Sequence, residues 1–372
     1  MFAQFFSPPD GVHAFSDNVK LVTNRIRSFN CKLKFAGSGE FTMLLHFDTK
    51  MLKVLRLNDI IKYDKRYFII KGIKYDESTG ITLTGTDLNG ILSQRLVFSG
   101  QVTGTTAQCI KYFLDQNMIF PQNMMSQNET QNETIRQRRI PMQFSANGIT
   151  GLADDGYMVK SGEYQNLADV VNTLCDWAGI GYRINCSASL PVFDFNIIKG
   201  TDRSMNQSVM DRVIFSPDWG NVVQQSFEHD ISNMYNAVYA LDTDSNILLA
   251  AYRDNNNIPE GIERQEAFVE VSANSNTDNI RKFGLAQTES NVEAHNYTIV
   301  PTAEGFERDY YLGDIVTIRD KYIGNNFSAV ITEVEKNYSD GRKSVKISVG
   351  TQKPKLLNMI INNMKSGVQK KR

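Results

Sequence analysis

The residues with most chemistry to offer are four histidines, four cysteines and one close pair of glutamates. None has a catalytic spacing. His13, His46, His229 and His295 stand in "VHAF", "LHFD", "EHDI" and "AHNY", without HExxH or HxH. His46 falls in a strand pattern with no second ligand at metal spacing, which reads as a packed or surface side chain. Cys31, Cys109, Cys175 and Cys186 form no CxxC. Cys109 and Cys175 lie on the apolar faces of predicted helices, where a thiol acts as a small hydrophobe; a reducing, cytosolic origin is expected. There is no GxSxG elbow and no GxxxxGK[ST] phosphate loop. "DTDSN" at 242–246 opens like a calcium loop, but Ile247 stands where the sharp turn needs Gly and Arg253 where a bidentate Glu is needed. It reads as a polar hairpin tip. Glu333 and Glu335, two apart in a strand pattern, share one face. They are expected to form an exposed acidic stripe rather than a catalytic pair. The sequence therefore predicts no catalytic residue, no metal ligand and no cofactor.

The elements that would carry these residues are mostly strands. At 372 residues the chain is long enough for roughly two to four domains. Forty basic residues against 41 acidic ones give a net charge of −1, unlike a dedicated nucleic-acid binder. "MFAQFFSPPD" lacks the basic and apolar regions of a secretion signal. No run approaches the roughly 18 apolar residues that span a membrane.

In residues 1–100, "CKLKFAG", "EFTMLLHF", "RYFIIKGIKY" and "ITLTGTDL" alternate in period two between Gly, Asp and Ser turns, and a short helix is expected over 87–94. Residues 101–205 read as an α+β insertion. In "NLADVVNTLCDWAGIG", Leu167, Val170, Val171, Leu174 and Ala178 form one stripe, with Asn166 to cap it and Gly179 to end it. The polar tandem "QNET" within 121–150 reads as a surface loop. Strands resume in 206–245 and 305–352, around an inserted β/α subdomain at 246–304 with a helix expected over 278–294. Residues 353–372 read as an amphipathic helix with a basic tail.

One phrase occurs twice. Leu57-Asn58-Asp59-Ile60-Ile61 and Leu312-Gly313-Asp314-Ile315-Val316 each place a small or turn-forming residue before Asp and a β-branched pair after it. The small residue allows a tight entry, and Asp can accept turn N–H groups. The β-branched pair then opens a half-buried strand. Each phrase is followed by a strand (Phe68, Ile70, Ile73; Val330, Thr332, Val334), a turn and a partner strand. Two related β-barrel modules are expected, and three such chains would set six similar barrels in a ring.

The two blocks also carry a resemblance. "GSGEFTMLLHFDTKMLKVLRLNDIIKYDKRYFIIKGIKYDESTGITLTGTDLNGILSQR" resembles the first module of bacteriophage tail hub proteins, the hub region of tail-associated lysins and their relatives in phage-like bacteriocins. "YLGDIVTIRDKYIGNNFSAVITEVEKNYSDGRKSVKISVG" resembles their last module. The resemblance covers roughly residues 20–352 in order. It implies a mainly β fold with an α+β insertion: two tail-tube-like β-barrel modules plus a helix-containing domain. Leu57, Asp59, Ile60, Leu312, Gly313, Asp314 and Ile315 are the barrel signature.

The resemblance further implies a homotrimeric ring in the virion, at the distal tail tip or baseplate, assembled in the host cytoplasm. Its partners would be the distal tail protein or tail tube ring, the tape-measure protein, and a tail fibre, spike or receptor-binding protein. Phage DNA would pass through without specific binding, and Glu333 and Glu335 would be candidates to face that lumen. The chain ends about twenty residues past the last module, so a hub without a fused enzyme is expected. The alternatives are a cell-wall hydrolase of the tail tip, or a host-glycan-binding module in which Tyr310, Tyr311 or Trp219 stack on sugars.

Overall fold

A computed structural model describes residues 2–9, 18–97, 100–121, 138–145, 157–161, 165–187, 190–232, 234–242, 245–252, 258–271, 277, 280, 294–302, 305–324, 326–339 and 341–350. The tandem QNET segment, most of the helix expected over 278–294, and 353–372 lie outside them.

The first block contains strands β1 (Ala3–Phe6), β2 (Val19–Thr23), β3 (Ile26–Lys34) and β4 (Glu40–Leu45), helix α1 (Thr49–Val54), and strands β5 (Ile60–Tyr63), β6 (Arg66–Asp76) and β7 (Gly80–Asp87). Alternation works as expected here. Phe29, Cys31 and Leu33 on β3, and Phe41, Met43 and Leu45 on β4, are buried, while their neighbours face outward.

The insertion contains β8 (Leu96–Val97), β9 (Gly100–Gly104), α2 (Thr106–Leu114), β10 (Met142–Ser145), β11 (Tyr157–Ser161), β12 (Gln165–Asn166), α3 (Leu167–Ala178), β13 (Gly181–Cys186) and β14 (Phe193–Ile198). Thr105 and Gln108 form a reciprocal capping box on α2. Asn166 caps α3 by accepting the Ala168 N–H at 2.9 Å, and Gly179 ends it at φ 63°. Their apolar stripes and the inner faces of β13 and β14 make a second core.

Strands β15 (Ile214–Phe215), β16 (Val222–Asp230), β17 (Ala237–Asp242), β18 (Ile247–Tyr252), β19 (Glu266–Val271), β20 (Ala294–Pro301), β21 (Ile315–Arg319), β22 (Asn326–Ser339) and β23 (Arg342–Gly350) complete the described strands. The fold is mainly β with an α+β insertion.

The first and last blocks are one sheet. Its order is β16-β20-β23-β22-β3-β4-β7-β6-β5-β1-β2, with β21 branching from β22 and β15 from β21. The seam between the blocks is the antiparallel β22–β3 pair, from Glu333↔Lys34 to Ser339↔Ser28. One core runs beneath the sheet, from Phe5 and Phe68 to Ile347 and Val349.

Three expected boundaries move. The 3-10 turn at Leu88–Gln94 packs Leu88, Ile91 and Leu92 into the insertion's core, not the first block's. Residues 201–203 bond to the last block, where Arg203 N–H donates to the Ile315 carbonyl at 2.8 Å. Strand β17, expected in the second module, pairs with β18 and β19 in a separate sheet over Val238, Ala240, Val269 and Ile280, so the boundary at 245 falls inside a hairpin. Alternation identifies a strand but not the sheet it joins.

Candidate functional site

The two occurrences of the repeated phrase fold into the same turn. Asp59 Oδ2 accepts the Arg56 N–H at 2.8 Å, and Asp314 Oδ2 accepts the Tyr311 N–H at 2.9 Å. In the first turn Asn58 N–H donates to the Ile70 carbonyl and Ile70 N–H to the Asp59 carbonyl, at 2.8 and 2.9 Å. In the second, Gly313 and Ile331 exchange the same two bonds with Ile331 and Asp314, both at 2.9 Å. The residue before each Asp is left-handed: Asn58 at φ 68°, Gly313 at φ 90°. Both carboxylates are buried and each meets a cation: Lys20 Nζ at 2.5 Å from Asp59, Arg203 Nε at 3.0 Å from Asp314. Asp314 also accepts the Thr201 N–H at 2.8 Å.

The rest of the phrase diverges. Leu312 and Val316 are in the core, and Ile61 matches Val316, but Leu57 is exposed. Ile60 faces the insertion's core while Ile315 is half-buried.

The likeness extends over five strands. β3-β4-β7-β6-β5 in the first block corresponds to β16-β20-β23-β22-β21 in the last. The bulge between Ile70 and Gly72, in the β6–β7 pair, has its counterpart between Ile331 and Glu333 in β22–β23. That between Ile26 and Ser28, in β3–β4, matches the one between Val222 and Gln224 in β16–β20. Beyond the first of these bulges the registers agree: Gly72↔Thr84 corresponds to Glu333↔Ser348, and Thr84↔Thr42 to Ser348↔Thr298. A bulge admits one extra residue and flips the pattern after it. This corrects the expected face of β22: Ile331 and Val334 are buried, whereas Val330 and Thr332 are only half-buried.

An ionic cluster clasps the two modules beside their seam. Arg66 on β6 donates to Glu307 from Nε at 2.9 Å and again from Nη2. Lys336 on β22 pairs with Asp64, reaches Glu307 Oε2 at 3.5 Å and lies over the Phe306 ring. Burial works against ionising Glu307, but Arg66 and Lys336 outweigh it and hold the carboxyl below its ordinary value. A lowered carboxyl pKa contributes stability that is present above the unfolded value of about 4.3 and is lost as pH falls through the folded value. Glu307→Gln is therefore expected to lower stability by about 1–3 kcal/mol at pH 7 and to remove part of the acid-side loss, checked by urea titrations at pH 7 and pH 4. Sequence reading missed this cluster because its members lie in three separate segments.

Glu333 and Glu335 do share the face opposite the core, but the acidic stripe is a mixed one. Glu333 pairs with Lys32 at 3.1 Å, and Glu335 accepts from Asn30 Nδ2 at 3.0 Å. Tyr310 is buried, Tyr311 and Trp219 are exposed, and Arg319 lies 5.1 Å over the Trp219 ring. Cys31, Cys109, Cys175 and Cys186 are buried free thiols; burial pushes Cys31 up to about 12. His46 and His229 are exposed. Asp242 and Ile247 close the β17–β18 hairpin, with Asp242 accepting from Ser245 N–H at 3.2 Å. Among the described residues no group of three or more His, Cys, Asp or Glu could hold a metal, and no helix is long and apolar enough to cross a membrane.

Solved structures have a similar overall fold. The chain is similar to the tail protein from Neisseria meningitidis MC58, at 13% identity over 95% of this chain and 99% of that one, with a TM-score of 0.58. It is similar to the 43 kDa tail protein of prophage MuSo2 from Shewanella oneidensis, at 11% identity over 96% and 100%, TM-score 0.57. Prophage tail protein gp18 from Listeria monocytogenes EGD-e matches at 13% identity over the full length of both chains, TM-score 0.51. At these identities the likeness is one of fold. No curated protein matches the sequence. A family model does, over residues 18–351, and the chain belongs to the Siphovirus ReqiPepy6 Gp37-like protein family, with the fold of phage tail proteins.

Proposed function

We propose that this chain is a structural hub of a phage tail tip or baseplate. Three copies form a ring that adapts a six-fold tail tube to three-fold tip components and encloses part of the DNA channel. The observation that carries this reading is the repeated module, with the same strand order, bulges and aspartate turn twice in one chain, joined edge to edge. One chain so built can stand for two neighbouring subunits of a tube, and three chains for six.

The sheet face opposite the core supports a channel wall. Thr42, Thr82 and Thr84 lie on it beside Glu333 and Glu335, which are matched by Lys34 and Lys32. Balanced charge and short hydroxyls give DNA little to hold. The neighbours of such a ring would be a distal tail protein or tube ring, the tape-measure protein, and a fibre, spike or receptor-binding protein. Its work is assembly and conformational opening, without bond chemistry.

Light scattering with two-dimensional electron-microscope averages tests this. A trimeric ring with six lobes is expected. A protein that stays monomeric or dimeric at every concentration would overturn it.

A further inference from the structure

The seam inside the chain joins β22 of the second module to β3 of the first. Among the described strands, each module therefore has one half of a seam left over. In the second module the strand corresponding to β3 is β16, which pairs with β20 and is the last described strand of the sheet. In the first, the strand corresponding to β22 is β6. Its opening residues Arg66–Ile69 pair with β5, and Gly72–Asp76 pair with β7 on one side, with no described strand on the other. An open edge presents a row of backbone donors and acceptors, a template for another strand.

We propose that residues 72–76 of one copy pair antiparallel with residues 226–230 of the next, in the register of the internal seam. This rests on the trimeric reading above and specifies its interface. The register follows strand by strand. Glu335↔Lys32 and Lys336↔Cys31 inside the chain become Lys74↔Glu228 and Tyr75↔Phe227 between copies. The chemistry on the two edges is complementary in that register and in no way copied from the internal seam. The internal pair has its acid on β22 and its base on β3; the new pair has its base on β6 and its acid on β16. Tyr75, 60% exposed although it points to the core side of the sheet, meets the half-buried Phe227 as a cross-strand aromatic pair. The β6–β7 hairpin turns at Asp76–Gly80, whereas β22–β23 runs on to Ser339–Arg342, so the new seam is shorter by two pairs.

Such a contact is heterologous: each copy offers one edge of each kind. It closes into a ring when the rotation allows and into a filament when it does not. In the proposed trimer the internal module-to-module step repeats around a closed ring.

In the internal seam Phe35 N–H donates to the Thr332 carbonyl at 2.9 Å, which makes the corresponding Glu335↔Lys32 site a non-hydrogen-bonded pair. There the Cα atoms come within disulfide reach. Oxidising full-length Lys74→Cys/Glu228→Cys is expected to give a covalent ladder ending at closed trimer, because the four native thiols are buried. Each single variant, and Lys74→Cys with Gln224→Cys, should give none. In the second arm, Lys74→Glu and Glu228→Lys each raise the concentration at which the ring half-dissociates by roughly threefold or more, and the double swap restores it. A protein that is trimeric by light scattering but gives no cross-link and ignores the charge swaps overturns this seam and leaves the ring standing. A protein that never exceeds monomer overturns both.

Discussion

Asp314→Ala is expected to lower the unfolding free energy by about 3–5 kcal/mol, the loss typical when one partner of a buried ion pair is removed. The carboxylate is buried and accepts the N–H groups of Tyr311 and Thr201 and the Nε–H of Arg203. Truncation leaves two amides and a guanidinium without their acceptor, in a place water does not easily reach. Asp59→Ala removes the corresponding turn acceptor, but Lys20 is a flexible, more exposed cation that can return to water. About 2–3 kcal/mol is expected there. Asp314→Asn keeps a single acceptor oxygen and should fall between wild type and Ala. Urea midpoints followed by circular dichroism rank the three. Equal losses at the two aspartates would show that the added bonds at Asp314 contribute nothing.

The order Asp314 before Asp59 also explains what the sequence revealed. Leu-x-Asp-Ile is legible twice because the turn depends on a side chain: only a short acceptor reaches back to an amide three residues earlier. The five strands of each module are equally alike in backbone, yet their side chains share little. Phe41 corresponds to Tyr297 and Cys31 to Phe227. A ladder of backbone bonds tolerates any residue that fills the same half-buried surface, so register leaves a weak imprint. The β6–β7 bulge did leave one: Ile70 and Ile73, like Ile331 and Val334, are apolar residues three apart in a strand, where strict alternation calls for two. Reading Val330, Thr332 and Val334 as one face overlooked it. Helix α3 was legible down to its caps, since Asn166 and Gly179 act through local geometry. The Arg66–Glu307 clasp was not, because nothing local marks which distant acid a buried arginine will meet.

The second large effect is expected at Gly313. Gly313→Ala should cost about 3–4 kcal/mol, combining left-handed backbone strain with overpacking. At φ 90° an L side chain is strained, and its Cβ would stand 2.1 Å from Phe35 Cε2 and 2.5 Å from Cζ. The ring cannot retreat. Phe35 is 2% exposed, its N–H is held by Thr332 at 2.9 Å, and its carbonyl accepts Tyr182 N–H at 3.1 Å. The first module, the second module and the insertion thus meet at this one residue, directly beyond the end of the β22–β3 seam. Asn58, the counterpart, already carries a side chain at φ 68°, and Asn58→Ala should cost only about 1 kcal/mol. Adding Phe35→Leu to Gly313→Ala separates the two causes. Partial recovery is expected, since the smaller side chain relieves the clash but not the backbone. A displaced Phe35 would act on the seam inside the chain, because the residue directly follows Lys34, the last β3 residue paired with β22.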